Sequence, residues 1–254
     1  MIEQHVDIET QDGLMNTFIV RPEEGQPFPV VFFYMDAPGK RDELLDMARR
    51  IASVGYYVVL PNLYYRKTRE FTMVRDEEGM KRMFEMMRHV TVELVMRDTR
   101  AMLEFVDRQP AAKATLLGGV GYCMSGPFIL AACAHFPERF KCGASIYGAN
   151  LVTKTADSPH LLADRVGAEM YFACAETDRY APKEVIDAMQ AHFDTTQLNY
   201  RLEWYPGAEH GFAFPQRAGI YHKPSAERHW ERLFALFARS LLIRGGQATT
   251  IQQP

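Results

Sequence analysis

Short apolar runs alternate with longer amphipathic stretches along this chain, and that alternation predicts its elements. Gln4 to Arg21 alternates apolar and polar positions on either side of Asp12-Gly13, which predicts a β-hairpin. Pro29 to Met35 (PVVFFYM) is continuously apolar, short, and rich in β-branched and aromatic residues, as a strand buried on both faces requires. Leu44, Leu45, Ala48, Ile51 and Ala52 recur at helical spacing, predicting an amphipathic helix over about 41 to 54 that Gly55 ends. Tyr56 to Leu60, stopped by Pro61, predicts the next buried strand. Helical spacing returns over about 80 to 108, with Leu94, Val95, Asp98, Ala101, Met102, Phe105 and Val106 on one face. Further strands are predicted at Ala114 to Gly121, Gly143 to Tyr147, Met170 to Ala175 and Tyr200 to Tyr205. Helices fall between and after them at Pro127 to His135, Val185 to Phe193 and Trp230 to Leu241.

Strands that alternate with helices of this length build a mainly parallel sheet with helices on both faces. The hairpin adds antiparallel strands at one edge. The reading is a single α/β domain over residues 1–244, followed by a polar tail over 245–254. In such sheets the chemistry lies in loops beyond the carboxyl ends of the strands. The charged stretch 64–79 interrupts the pattern and reads as part of a lid or as a surface loop.

Composition narrows the function. The 254 residues, 47% apolar and 24% charged, suit one large globular domain and exclude a disordered chain. A net charge of −3 and a pI near 6.3 leave no basic excess for nucleic acid and no polybasic block for a membrane surface. The longest apolar runs, such as Ile51 to Leu60, are too short to span a bilayer. Met1 to Thr10 lacks the pattern of a secretory signal, so a cytoplasmic location is expected. Cys123, Cys133, Cys142 and Cys174 form no C-x-x-C pair and no metal-ligand spacing, and no HExxH occurs. Free thiols, no metal and no cofactor are therefore expected, in a monomer or homodimer.

Three segments carry candidate chemistry. In Gly118-Gly119-Val120-Gly121-Tyr122-Cys123-Met124-Ser125-Gly126 a strand runs into a helix through a glycine-rich turn. The pattern matches a nucleophile elbow with cysteine in place of serine. Ser125 stands where the motif's second glycine would be. The following helix N-terminus favours thiolate over thiol. The bland alternative is a tight turn with a buried thiol. Asp178, after the strand ending in Ala175, is placed to orient a histidine or to close a turn, with Glu176 as a nearby alternative. His210, in Pro206-Gly207-Ala208-Glu209-His210-Gly211-Phe212, follows the last strand between small residues. His160, after Asp157-Ser158-Pro159, is a further candidate for lining a pocket. Nucleophile, acid, histidine is the chain order of α/β-hydrolases.

On these residues the chain resembles the dienelactone hydrolase (carboxymethylenebutenolidase) family, a branch of the α/β-hydrolases with a Cys-His-Asp triad. The resemblance runs from about Pro29 to Phe237 and rests on GYCMSG at 121–126, ETDRYAP at 176–182 and PGAEHGF at 206–212. FYMDAPGKR at 33–41 and LPNLYYR at 60–66 also look like family segments. The resemblance implies an α/β-hydrolase fold and hydrolysis of a small-molecule ester or lactone through Cys123, His210 and Asp178. It implies backbone oxyanion donors at Met124 and Ala37. Asp36 occupies the place of a family glutamate that pairs with the resting cysteine, and equally suits a turn aspartate capping a helix. The family's substrate-binding arginine four residues after the histidine is Phe214 here, which implies a less anionic or differently oriented substrate. Arg41 and Arg66, after strand ends, are candidate replacement cations, and Tyr122 and Tyr147 are candidates for an aromatic pocket. Two other classes compete: a non-catalytic α/β-hydrolase scaffold that binds a small ligand, and a redox-sensing thiol protein.

Overall fold

The expected hairpin forms from β1 (Ile2–Thr10) and β2 (Gly13–Arg21), paired antiparallel in the computed structural model, which describes residues 1–25 and 27–242. Gly13 takes φ 127°, and Thr10 Oγ1 closes the turn by donating to the Gly13 carbonyl at 2.8 Å. β3 (Phe28–Tyr34) and β4 (Tyr57–Pro61) are buried at every residue, as strands in a sheet covered on both faces must be. β5 (Ala112–Tyr122), β6 (Phe140–Ile146), β7 (Glu169–Thr177) and β8 (Tyr200–Glu209) complete an eight-stranded sheet in the order β1-β2-β4-β3-β5-β6-β7-β8.

β2 meets β4 antiparallel, and the pairings from β4 through to β8 are parallel. The chain leaves β3 toward β4 on one side, whereas from β5 onward it proceeds toward β6 on the other. That reversal opens a crevice at the carboxyl ends of β3 and β5, where such sheets place their ligands.

Helices α1 (Asp42–Ala52), α2 (Glu77–Met87), α3 (Val92–Asp107), α4 (Gly126–His135), α5 (Lys183–Phe193) and α6 (Lys223–Leu241) connect and flank the strands. α1 and α6 meet through Arg50, which pairs with Glu227 at 2.7 Å and stacks over Trp230 at 4.7 Å. α3 packs on α4, and α4 on β5 and β6. α4 is apolar all round and buried from Gly126 to Ala134, as suits a helix in the middle of the molecule.

The helical spacing over about 80 to 108 resolves into two helices rather than one. Asp76 starts α2 by accepting a hydrogen bond from Gly79 N at 2.7 Å, and Thr91 starts α3 by accepting from Leu94 N at 3.2 Å. These short polar caps set boundaries that hydrophobic periodicity does not mark. β8 runs past the expected Tyr205 to Glu209 after a register shift against β7. His210 N then donates to Thr177 O at 3.2 Å, so the extension delivers His210 to the end of β7. No helix among the described residues is long and apolar enough to cross a membrane. The polar tail expected over 245–254 lies outside the described residues.

Candidate active site

β5 ends at Tyr122, and the next residue, Cys123, sits at φ 55° in the left-handed region. A non-glycine residue held there stores backbone strain, which is common at functional turns. A short 3-10 turn over Cys123–Ser125 leads straight into α4. The flanking glycines are there for space. A Cβ on Gly121 would lie 2.1 Å from the Ser125 carbonyl oxygen, and one on Gly126 would lie 2.4 Å from Gly148 Cα. Ser125 itself has an ordinary right-handed backbone, with φ −93°. Its hydroxyl donates to the Met35 carbonyl at 2.5 Å and ties the turn to the end of β3. The serine is therefore accommodated, and it adds a bond that glycine could not make.

Three elements bring Cys123, His210 and Asp178 together. His210 Nε2 lies 3.1 Å from Cys123 Sγ, and its Nδ1 lies 2.7 Å from Asp178 Oδ2. The other Asp178 oxygen accepts from Tyr180 N at 2.8 Å and Ala181 N at 3.1 Å, which fixes the carboxylate. Glu176 turns away and accepts from Gly207 N. Tyr147 and Tyr180 pack edge-on against the His210 ring, with centroids 5.1 and 4.8 Å away. Burial alone would push the His210 pKa down. The hydrogen bonds to Asp178 and Cys123, with the negative charge they bring, override burial and raise it to about 9. Burial pushes the other thiols up, Cys142 and Cys174 to about 12 and Cys133 well above its ordinary value. All four cysteines are unpaired.

Ala37, in the loop after β3, and Met124, next to the cysteine, flank the same crevice. The buried Tyr64 hydroxyl donates to the Ala37 carbonyl at 2.7 Å and lies 3.6 Å from Met124 Sδ. Nothing in the local sequence signals this bridge, which joins residues 27 and 60 positions apart.

Cys123 and His210 open into a cleft of about 1120 Å³. Its walls include Ala37, Tyr180, Arg179, Arg217, Ile220 and a face of α2. Arg217 went unrecognised in the sequence. It reaches the cleft because the chain after His210 folds back, and it pairs there with Asp36 at 2.6 Å.

None of the other expected binding residues lines this cleft. Asp36 is fully buried between Arg217 and Arg41, 2.6 Å from each. It neither contacts the Cys123 sulfur nor caps α1, whose N-cap is Arg41. Arg41 also binds Glu43 and faces a neighbouring groove rather than the cleft. Arg66 is held by Asp98 and Asp12 at the hairpin side of the molecule. Phe214 is fully buried with the Arg41 and Arg217 cations over its ring, at 5.0 and 4.6 Å. Tyr122 is fully buried, its hydroxyl 2.9 Å from His229 Nε2. Tyr147 touches the triad through His210 but is shut off from the cleft by burial. His160 is occupied by Ser158 and stacks edge-on against His192. Among the described residues no group of three or more His, Cys, Asp or Glu side chains is arranged to hold a metal ion.

Residues 15–241 match the model of the dienelactone hydrolase family. A protein of Synechocystis provisionally named carboxymethylenebutenolidase is 26% identical over 239 residues, covering 93% of this chain and 96% of its own. The carboxymethylenebutenolidase of Pseudomonas putida is 22% identical over 235 residues, covering 92% and 95%. Among solved structures, a provisionally named dienelactone hydrolase from Klebsiella pneumoniae superposes with a TM-score of 0.84 at 24% identity, covering 94% of this chain and 98% of the other.

Proposed function

Because the chain belongs to the dienelactone hydrolase family, we propose that it hydrolyses a small-molecule ester or lactone through an acyl-cysteine on Cys123. The observation that carries this reading is the line of contacts from Cys123 Sγ through the His210 ring to Asp178, at 3.1 and 2.7 Å.

With its pKa raised to about 9, His210 is cationic near neutral pH and stabilises negative charge on the sulfur beside it. The thiolate attacks the carbonyl carbon and forms a tetrahedral oxyanion. Backbone N–H groups of Ala37 and Met124 take that charge, the role in which one lost donor typically costs about 2.7–4 kcal/mol of barrier. Collapse of the intermediate breaks the carbon–oxygen bond, and the leaving alkoxide takes the proton from His210 Nε2. Neutral His210 then accepts a proton from water as the oxygen attacks the thioester. The acid departs and the thiolate–imidazolium pair is restored. Asp178 holds the ring in the needed orientation and stabilises its cationic form throughout. A free, reduced thiol of this kind fits a cytoplasmic setting.

The direct test compares ester turnover by the native protein and a Cys123→Ala variant, with p-nitrophenyl acetate and a small lactone panel that includes dienelactone. The expected outcome is turnover in the native protein and a loss of about 10³-fold or more in a variant that still folds. Equal turnover by both would remove Cys123 as the nucleophile.

A further inference from the structure

α2 does little to fill the core. Of its eleven residues only Gly79 and Met83 are buried, and Phe84 is 37% exposed. Yet Met80, Met83, Phe84 and Met87, at helical positions i, i+3, i+4 and i+7, form one apolar face, and all four line the cleft that contains Cys123 and His210. The cleft does not end there. Met87 and Asn150 also line an adjoining hollow of about 230 Å³, whose wall includes Met124, Phe128, Val90 and Val92. The apolar surface thus continues from the cysteine along α2 and past Met87.

Three arginines and three carboxylates line the cleft and offset one another in number. Arg217 is paired with Asp36, Arg179 donates to Tyr180 Oη, and Arg75 donates to the Gln216 carbonyl. Asp76, Glu77 and Glu209 oppose them, with Asp76 engaged as the α2 cap. With arginines and carboxylates balanced, the lining carries no cationic excess to favour an anionic group. Methionine side chains are long, unbranched and adaptable, and suit a flexible aliphatic chain better than one rigid shape.

We propose that the site takes an uncharged ester or lactone bearing an extended apolar arm, which lies along the methionine face of α2 and past the Met87–Asn150 wall. This rests on the hydrolase reading for the reaction but not for the binding. The arm could belong to the acyl or the alcohol part of the ester, and the substrates separate these. The kcat/KM values of p-nitrophenyl octanoate and acetate vary the acyl arm. Those of octyl acetate and ethyl acetate vary the alcohol arm. The expected result is a preference of about tenfold or more for the long member of one pair, from partial burial of the added methylenes. Phe84→Ser and Met87→Ser, both at partly exposed positions, should each lower that ratio about fivefold.

Binding is measured separately by calorimetry on the inert Cys123→Ala protein with the same esters. Tighter binding of the long ester with no turnover by the native protein would keep the apolar trough and overturn the hydrolase reading. Turnover and binding that both lack a chain-length preference would overturn the trough. So would a preference that neither serine variant reduces.

Discussion

Tyr64 stands behind both groups expected to face a developing oxyanion. Its hydroxyl donates to the Ala37 carbonyl and touches the Met124 sulfur, so it holds the loop after β3 against the turn after β5. Tyr64→Phe keeps the ring, which packs edge-on against Phe71, and deletes only this tie. The expected outcome is a fall in kcat of about tenfold with KM little changed, less than the loss of an oxyanion donor itself. Unfolding stability should fall by about 1 kcal/mol. Steady-state kinetics and urea unfolding check both, and an unchanged kcat would remove Tyr64 as a positioning residue. Cys123, Asp178 and His210 were legible in the sequence because each directly follows a strand, where local pattern places it. Tyr64 and Arg217 were not. Tyr64 meets Met124 across 60 residues, and Arg217 meets Asp36 across 181. Pairings of that span carry no local signature.

At the scale of elements, hydrophobic periodicity located the strands and most helices because burial on one or both faces is what it measures. It missed the break between α2 and α3, which side-chain caps decide, and the extension of β8, which a register shift allows. It also gave no role to α2, since an apolar stripe facing a cleft has the same spacing as one facing a core. The loop after β3 and the segment after His210 are bound together by charge. Asp36 takes Arg41 and Arg217, Phe214 lies between the same two cations, and Glu43 accepts from Gln216 N at 2.8 Å. Through these contacts Arg41 and Phe214 tie the histidine segment to the start of α1. Arg66 does similar work between the hairpin and α3 through Asp12 and Asp98.

Across the whole molecule, two buried histidines make stability depend on pH in opposite directions. His229, fully buried in α6, donates from Nδ1 to the Ala226 carbonyl and accepts the Tyr122 hydroxyl at Nε2, which fixes it as the neutral tautomer. Burial pushes its pKa down to about 4. Its contribution is therefore complete above the unfolded value of about 6.5 and is lost as pH falls toward 4. His210, raised to about 9, contributes fully below about 6.5, and that contribution is lost as pH rises through 9. Urea unfolding between about pH 6.5 and 5, above most of the carboxylate range, should show a falling midpoint for the native protein and a flatter profile for His229→Gln. Parallel profiles would contradict this account of His229. The central claim is that Cys123 carries the acyl group. A rapid acid quench of the native protein with p-nitrophenyl acetate, followed by intact and peptide mass spectrometry, reads this directly. The account predicts one acetyl group on the Cys123 peptide, absent from Cys123→Ala. An acetyl group on Ser125 instead, or a burst of p-nitrophenol with Cys123 unmodified, would contradict it.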